Sequence, residues 1–313
     1  MAGSITDSGL TGVNQTVAAL FKQGFNRAAA EQPWQLLVGD VGQSAAATKA
    51  YDWFGGIGEV HERTREGQHF SGVRRSNFTV SHKEYGLGMI LRIRDLNVDQ
   101  LGQIPALVSA ASRKMATHPG RLAFAALEAN PLASDGAALF ANTHTLGAAA
   151  NWDNLTGGTG VTTTAIETDI ATAQALMFNA QDDTGTALEL EMDTIVIPPA
   201  LAFVFSKVLG PLRDSGGTDS QLGNVPKIQR VFQAGGFTVI VSAALTDANN
   251  WYGFHTQGEV KPFIYSWIVQ PKTLNTPSMN DDSAKHRGEL EYVFYGDYAV
   301  VPTLPQYSVS VVN

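Results

Sequence analysis

The residues of this chain that could do chemistry are its histidines and clustered charges. There are seven histidines and no cysteine, which excludes a disulfide, a thiol nucleophile and a cysteine metal site. His61 and Glu62 open the segment HERTR, but Arg65 stands where a two-histidine zinc helix needs its second histidine. His61 and His69 could meet across a hairpin, yet no third ligand accompanies them. We therefore expect no metal and no cofactor.

Two glycine-containing segments are partly similar to enzyme motifs. RDSGG, residues 213–217, is similar to the nucleophile segment of trypsin-like proteases, but Arg213 replaces the glycine and the surrounding pattern is not all-β. GGIGEV, residues 55–60, is an incomplete glycine fingerprint that follows no apolar strand and opens no helix. A surface loop and a turn are the simpler interpretations, and we expect the chain not to be an enzyme.

A basic segment, residues 61–94, lies within an acidic chain. The net charge of the chain is −8, yet this segment holds a third of its 21 lysines and arginines. These are Arg63, Arg65, Arg74, Arg75, Lys83, Arg92 and Arg94. Nucleic-acid binding through this segment is one hypothesis. Its few aromatic residues, Phe70, Phe78 and Tyr85, are not arranged as a stacking platform, which weighs against that hypothesis.

The composition limits the class of protein. Charged residues are 16% of the chain, against about 25% in an average protein. Either much of the surface is buried against other subunits, or the chain is a large monomer rich in alanine, glycine and threonine. The first residues have no signal-peptide pattern, and no apolar run reaches the roughly 18 residues of a membrane span. We expect a soluble protein made in a cytoplasm.

The elements that position the basic segment can be predicted from hydrophobic spacing. Residues 13–30 have the spacing of an amphipathic helix, and residues 35–50 are small and polar, as in an extended arm. Apolar residues alternate along residues 78–93, which predicts a long β-hairpin or two-stranded ribbon over 59–94. Such a ribbon is marginally stable alone and needs a surface to lie on.

The rest of the chain mixes helices and strands. Asn97 is a predicted N-cap of a helix that reaches about residue 128, with a kink or break at Pro119. A second helix is predicted over 164–180, with Thr164 and Glu167 as its capping box. Buried strands and a Pro-Pro turn follow. The predicted fold class is α+β with a projecting ribbon, not an alternating parallel sheet.

The order of these segments resembles the major capsid proteins of tailed phages, specifically the Mu-like major head subunit family. The resemblance lies in YDWFGGIGEVHERTREGQHF, SNFTVSHKEYGLGMILRIRDLNVDQLGQIP, KMATHPGRLAFAALEAN and DGAALFANTHTLG. It is good over residues 13–150 and weaker afterwards. Each motif alone has low specificity, so the order of the motifs carries the resemblance.

The resemblance implies an HK97-type capsid fold and a division of the chain. An N-terminal arm would span residues 1–50, and an extended loop, a β-ribbon, residues 51–95. A peripheral domain with a spine helix would span 96–145, an axial domain 146–255, and return strands 256–313. The ribbon would then lie across a neighbouring subunit, and the low charge would reflect burial between subunits.

The implied function is that of a major capsid protein, which assembles into hexamers and pentamers of an icosahedral head around double-stranded DNA. The loop residues expected to contact the adjacent subunit are Arg63, Arg65, Arg74, Arg75, Phe70, Phe78 and Lys83. Further expected partners are a separate scaffold, a portal and decoration proteins, with DNA enclosed without sequence-specific binding and no membrane. The expected location is the virion, after assembly in the host cytoplasm. A protein nanocompartment shell of the same fold is the alternative.

Overall fold

The computed structural model describes residues 7–54, 75–98, 103–133, 135–145, 151–209 and 236–313. In this part of the chain, six α-helices and eleven β-strands form two sheets and a two-stranded ribbon. The helices are α1 (Asp7–Ala30), α2 (Ile93–Val98), α3 (Gln103–Ala129), α4 (Thr163–Phe178), α5 (Ala202–Leu209) and α6 (Asp282–Arg287). The α+β prediction is confirmed.

The strands follow the chain from the end of α1 to the C-terminal region. They are β1 (Val38–Gln43), β2 (Thr48–Phe54), β3 (Arg75–Ser81), β4 (Lys83–Arg92), β5 (Leu155–Gly157), β6 (Thr194–Ile197), β7 (Thr238–Val241), β8 (Trp251–Phe254), β9 (Phe263–Thr273), β10 (Glu289–Pro302) and β11 (Ser308–Val312). Strands β2 and β3 pair only with each other among the described residues and form the ribbon.

A four-stranded sheet has the order β1-β9-β10-β4. Strand β1 runs parallel to β9, and the other pairs are antiparallel. Buried and half-buried residues alternate along most of β10, so one face of this sheet is its inner face. That face packs on α1 and α3, where the rings of Phe21 and Phe294 stack with centroids 4.2 Å apart.

A five-stranded sheet has the order β5-β11-β8-β6-β7. One face packs against α4 and α5, with Ile166, Phe205 and Trp251 fully buried between them. The opposite face contributes Val196 and Phe254 to a second core, shared with the C-terminal half of α3 and with β9. Helix α3 therefore contributes to the packing of both sheets.

The predicted helices are confirmed with shifted ends. Helix α1 begins before residue 13, and α4 is capped by the hydroxyl of Thr162, which accepts from Ala165 N, rather than by Thr164. Asn97 lies within α2 and is not the N-cap of the long helix. Helix α3 continues through Pro119, so a break there is wrong, while the alternative, a kink, stays a prediction. A proline removes a single backbone hydrogen bond, and the buried packing of α3 compensates for it.

The strand pairing corrects the predicted ribbon over residues 59–94. Strand β3 pairs with β2, from Thr48 opposite Ser81 to Phe54 opposite Arg75. Strand β4 leaves the ribbon and pairs with β10 along its whole length. The alternating pattern runs through both strands, so it could not show that they belong to different sheets. The prediction of an unpacked arm is also wrong for β1, which lies in the four-stranded sheet.

Candidate assembly surface

Only part of the predicted contact loop lies among the described residues. Arg63, Arg65, Phe70 and Arg74 lie outside them, as do the HERTR, GGIGEV and RDSGG segments. Arg75 and Phe78 lie in β3, where their backbones pair with Phe54 and Tyr51. Lys83 is exposed and opens β4, opposite Tyr298.

The ribbon is anchored on the face of the four-stranded sheet that is turned away from α1 and α3. Val80 of β3 is fully buried against Ile264 and Ala299. Beside this contact, Ser266 Oγ lies 2.6 Å from the Tyr51 hydroxyl and 2.8 Å from His82 Nε2. The ribbon is thus fixed on this sheet by packing and by hydrogen bonds.

Beyond the ribbon, this outer face is uncovered in the described part of the chain. On β4 it presents exposed residues at every second position, namely Glu84, Gly86, Gly88, Ile90 and Arg92. Ile90 is 59% exposed, although isoleucine is usually buried. A Cβ atom built at Gly88 would meet no atom within 4 Å. The outer face is therefore open, shallow and partly apolar.

Two carboxylates lie directly opposite each other on this face. Glu84 of β4 is the register partner of Asp297 of β10, and no described lysine or arginine forms an ion pair with either. Asp297 Oδ1 is buried and has no hydrogen-bond partner among the residues that the structure describes. Like charges at directly opposed positions destabilise a sheet. The pair would be relieved by a cation from outside the described chain.

A neighbouring phenol responds to these charges. The pKa of Tyr295 is raised by desolvation first and then by the charges of Glu84 and Asp297. Farther along the face, Glu289 and Glu291 are already paired within the chain, with Arg287 Nη2 lying 2.6 Å from Glu291. Within the described residues, Glu84 and Asp297 therefore form a part of the outer face that lacks a cation.

A buried polar cluster elsewhere has residue types that enzymes use. His144 Nδ1 lies 2.7 Å from Asp135 Oδ2, its Nε2 lies 3.0 Å from Asn154 Oδ1, and its ring stacks on Trp152. None of these described neighbours is a nucleophile, and the His144 and Asp135 side chains are at most 1% exposed. The arrangement fits a structural role, because a substrate could not reach it.

The described residues also bear on metal binding and on membrane spans. Among the described residues, no three histidine, aspartate or glutamate side chains are grouped so that they could hold a metal ion. No described helix is both long and apolar enough to cross a membrane.

Comparison with known proteins gives a family. The sequence model of the family described as phage capsid protein matches residues 77–308, about three quarters of the chain. No curated protein matches the sequence.

Comparison with solved structures gives the fold. The procapsid protein of bacteriophage JBD30 is 17% identical with a TM-score of 0.53, over 96% of this chain and 75% of that chain. A virus-like particle from Pyrococcus furiosus is 12% identical with a TM-score of 0.56, over 95% and 98%. The capsid of cyanophage P-SCSP1u is 14% identical with a TM-score of 0.52, over 88% and 86%. At such identities the likeness shows the fold, which is the HK97-type capsid fold.

Proposed function

The chain belongs to the phage capsid protein family, and we propose that its copies build a tailed-phage head by holding one another through the extended loop. Its function is that of a major capsid protein, and its location is the virion. The match of the family over residues 77–308, on an HK97-type fold, carries this conclusion. The finer assignment to the Mu-like branch rests on the order in which the resembling segments follow one another between residues 51 and 147.

The shell would be built from hexamers and pentamers of this one chain. Contacts between different patches on neighbouring copies form rings when the rotation closes. Head assembly would take place in the host cytoplasm, with a separate scaffold, a portal and decoration proteins as further partners. DNA would be enclosed without sequence-specific contacts, since the chain has a net charge of −8.

The division of the chain that the resemblance implies is retained with two changes. Residues 83–92 are assigned to the four-stranded sheet, and with it to the peripheral domain, rather than to the loop, because β4 pairs with β10. Residues 38–43 are likewise assigned to that sheet rather than to the arm, because β1 pairs with β9. The loop is thereby shortened to the ribbon β2–β3 and residues 55–74.

The loop of one copy would lie on the outer face of the next. The loop supplies Arg63, Arg65, Arg74 and Arg75 as cations and Phe70 and Phe78 as apolar groups, and Lys83 adds a cation at the start of β4, just after the ribbon. The outer face supplies the carboxylate of Asp297, one oxygen of which lacks a partner. Arginine suits this contact because its planar group binds a carboxylate through two parallel hydrogen bonds. An exposed pair contributes about 0–1 kcal/mol, and a closed shell repeats it in every subunit.

A second candidate is a closed protein shell that is not a phage head. The likeness to the Pyrococcus furiosus virus-like particle, over nearly the whole of both chains, favours it. Membership of the phage capsid protein family favours the head. Isolation of the native particle would separate the two, because a head holds double-stranded DNA and a nanocompartment holds a protein cargo.

Charge reversal in the loop tests the contact. We expect the full wild-type chain to form shells or capsomers, measured by analytical ultracentrifugation and electron microscopy. R74E/R75E should keep the circular dichroism of the folded chain and lose assembly, because the two introduced carboxylates would then face the carboxylate of Asp297. Adding D297K to that variant should recover part of the yield.

The control reverses two adjacent exposed cations elsewhere, R113E/K114E on α3. It should assemble as the wild type does. Normal particle yield from R74E/R75E would overturn the loop contact, and so would equal loss in the control, since net charge would then be the cause. A wild-type chain that stays monomeric at high concentration would contradict the shell itself.

A further inference from the structure

Strand β4 has one unpaired edge. All ten of its residues pair with β10 on one side, in a register without a bulge, and no described strand pairs with the other side. Its six central residues, Tyr85–Ile90, carry no charge, and β4 contains no proline. A long, flat, uncharged edge invites pairing with another strand.

The other edges of the four-stranded and five-stranded sheets are protected among the described residues. Strands β5 and β7 are three and four residues long. Strand β1 has a bulge between Asp40 and Gly42, where Gly42 has a φ of 79°. Beyond the end of β1, the edge of β9 carries Pro271 and Lys272. Short length, bulges, proline and lysine all prevent pairing at an edge. Strand β4 has none of these at its centre.

We propose that this edge pairs with β4 of a second copy, antiparallel, about a two-fold axis at Gly88. Residues directly opposite in an antiparallel pair share a face of the sheet, so the two residue numbers of each pair must both be even or both be odd. Centring the pair on Gly88 places Glu84 opposite Arg92, and Gly86 opposite Ile90. Each of these pairs occurs twice, as a two-fold contact requires.

The residues on the outer face complement one another in this register. Glu84, which faces Asp297 within its own chain, gains a cation. The Arg92 side chain is 71% exposed and makes only a long ion pair within its own chain, 3.8 Å from Glu289, so it can also reach Glu84 of the second copy. Ile90 gains the space above Gly86 and loses its exposure to water. At the axis, Gly88 faces its own copy without a side chain on either strand.

The inner face of the same register is also compatible. It pairs Tyr85 with Leu91 and Leu87 with Met89, all apolar or aromatic. These four side chains are half-buried or buried against α3 and its neighbours in the free chain. The contact would extend the four-stranded sheet into an eight-stranded one across two subunits.

The contact would join capsomers and rests on the proposed shell function. Contacts between unlike patches close rings, but a shell of rings needs a second kind of contact between them. A two-fold contact between identical edges supplies it. The loop contact and the β4 contact use different residues, so each can fail without the other.

A charge swap tests the register. E84R and R92E should each lower the yield of closed shells about tenfold, because like charges then face each other twice. R92E also removes the ion pair with Glu289 within the chain, so E84R is the cleaner of the two single variants. The double variant E84R/R92E restores both pairs and should return to within about twofold of the wild type. Within one chain these residues are eight positions apart on a strand, about 26 Å, so a rescue can only arise between copies.

Cysteine trapping tests the axis directly, because the chain has no cysteine of its own. In G88C the two Cα atoms would lie about 4.5–5.5 Å apart, within the range of a disulfide. Oxidised shells should give dimers on a non-reducing gel. I90C is the matched control: its two Cα atoms would be about 13 Å apart, and it should stay monomeric on the gel.

The outcomes separate the two proposals. Shells of G88C without dimers, or a double variant no better than the single variants, would overturn the β4 contact and leave the shell function intact. Dimers from I90C but not from G88C would overturn the register. If G88C does not assemble, the yields of E84R, R92E and E84R/R92E decide whether the β4 contact exists. Failure of the wild-type chain to assemble would instead contradict the proposed function.

Discussion

At the residue scale, the hydrogen bonds of the buried cluster around His144 fix the orientation of the Asn154 side-chain amide. The Asn154 Nδ2 group lies 2.8–3.1 Å from three backbone carbonyls, those of Leu139, Pro305 and Ser308. Its Oδ1 must therefore face the Ala141 N–H and the His144 ring. His144 Nε2 therefore donates to Asn154 Oδ1, and its Nδ1 shares a hydrogen bond with the Asp135 carboxyl group.

Removing this histidine should destabilise the subunit strongly. His144→Ala leaves the Asp135 carboxylate buried without its partner, which costs about 3–5 kcal/mol of the free energy of unfolding. Urea unfolding of the unassembled subunit would measure it. His286→Ala is the control, because its pair with Asp282 is largely exposed and should change stability by less than about 1 kcal/mol. Equal effects of the two substitutions would contradict the structural role of the cluster.

A second histidine should make stability depend on pH. The pKa of His118 is lowered from 6.5, first by burial and then by the charge of Arg121. The Tyr298 hydroxyl lies 2.8 Å from His118 Nδ1 and can donate to it while that nitrogen is unprotonated. The pKa of Tyr298 is raised by burial, so this phenol keeps its hydrogen.

The sign of this effect follows from proton binding. Between the folded pKa of His118 and 6.5, the unfolded chain binds more protons than the folded chain, so stability falls as pH falls through that window. Unfolding free energies of the unassembled subunit from pH 5 to 8 would show this slope, and H118Q should have a smaller one. An identical pH profile in wild type and H118Q would contradict the assignment.

At the element scale, α3 passes very close to the segment that follows α1. A Cβ atom built at Gly120 would lie 2.4 Å from Cδ1 of Trp34, a buried and rigid indole. The residue after Pro119 must therefore be small. This contact holds the C-terminal half of α3 against the core that both sheets share.

The same substitution in two helices should therefore have opposite effects. Gly120→Ala should destabilise the subunit by about 1–3 kcal/mol, because overpacking exceeds the helix propensity gained. Gly12→Ala in α1 is the control; its Cβ would meet no atom within 4 Å, so it should stabilise by up to about 1 kcal/mol. Thermal unfolding of both variants is the measurement. A stabilising G120A would mean that Trp34 can move aside.

Element types could be predicted from the sequence better than pairings. Apolar spacing predicts α1, α3 and the late strands because it reflects the face that each element buries. It cannot name the partner of a strand: β4 pairs with β10, about 200 residues away in sequence. The sequence also could not show that α3 continues through Pro119, because the residues that pack against this part of α3 are distant in sequence.

At the scale of the whole molecule, the resemblance supplied the architecture that periodicity could not. The order of segments implied an HK97-type fold, and the family and the structural likeness confirm it. Only one half of the candidate surface could be predicted from the sequence. The basic loop is visible as a local charge run, whereas Glu84 and Asp297 become neighbours only through the β4–β10 register. Local charge can be found in a sequence, and long-range pairing cannot.

The position of β11 has a consequence for the order of synthesis. This strand lies inside the five-stranded sheet, between β5 and β8, yet it follows every other strand of that sheet along the chain. A nascent chain therefore cannot close this sheet until residue 312 has left the ribosome. Until then the edges of β5 and β8 that β11 will cover stay open. The complete five-stranded sheet therefore forms only after β11 has been made.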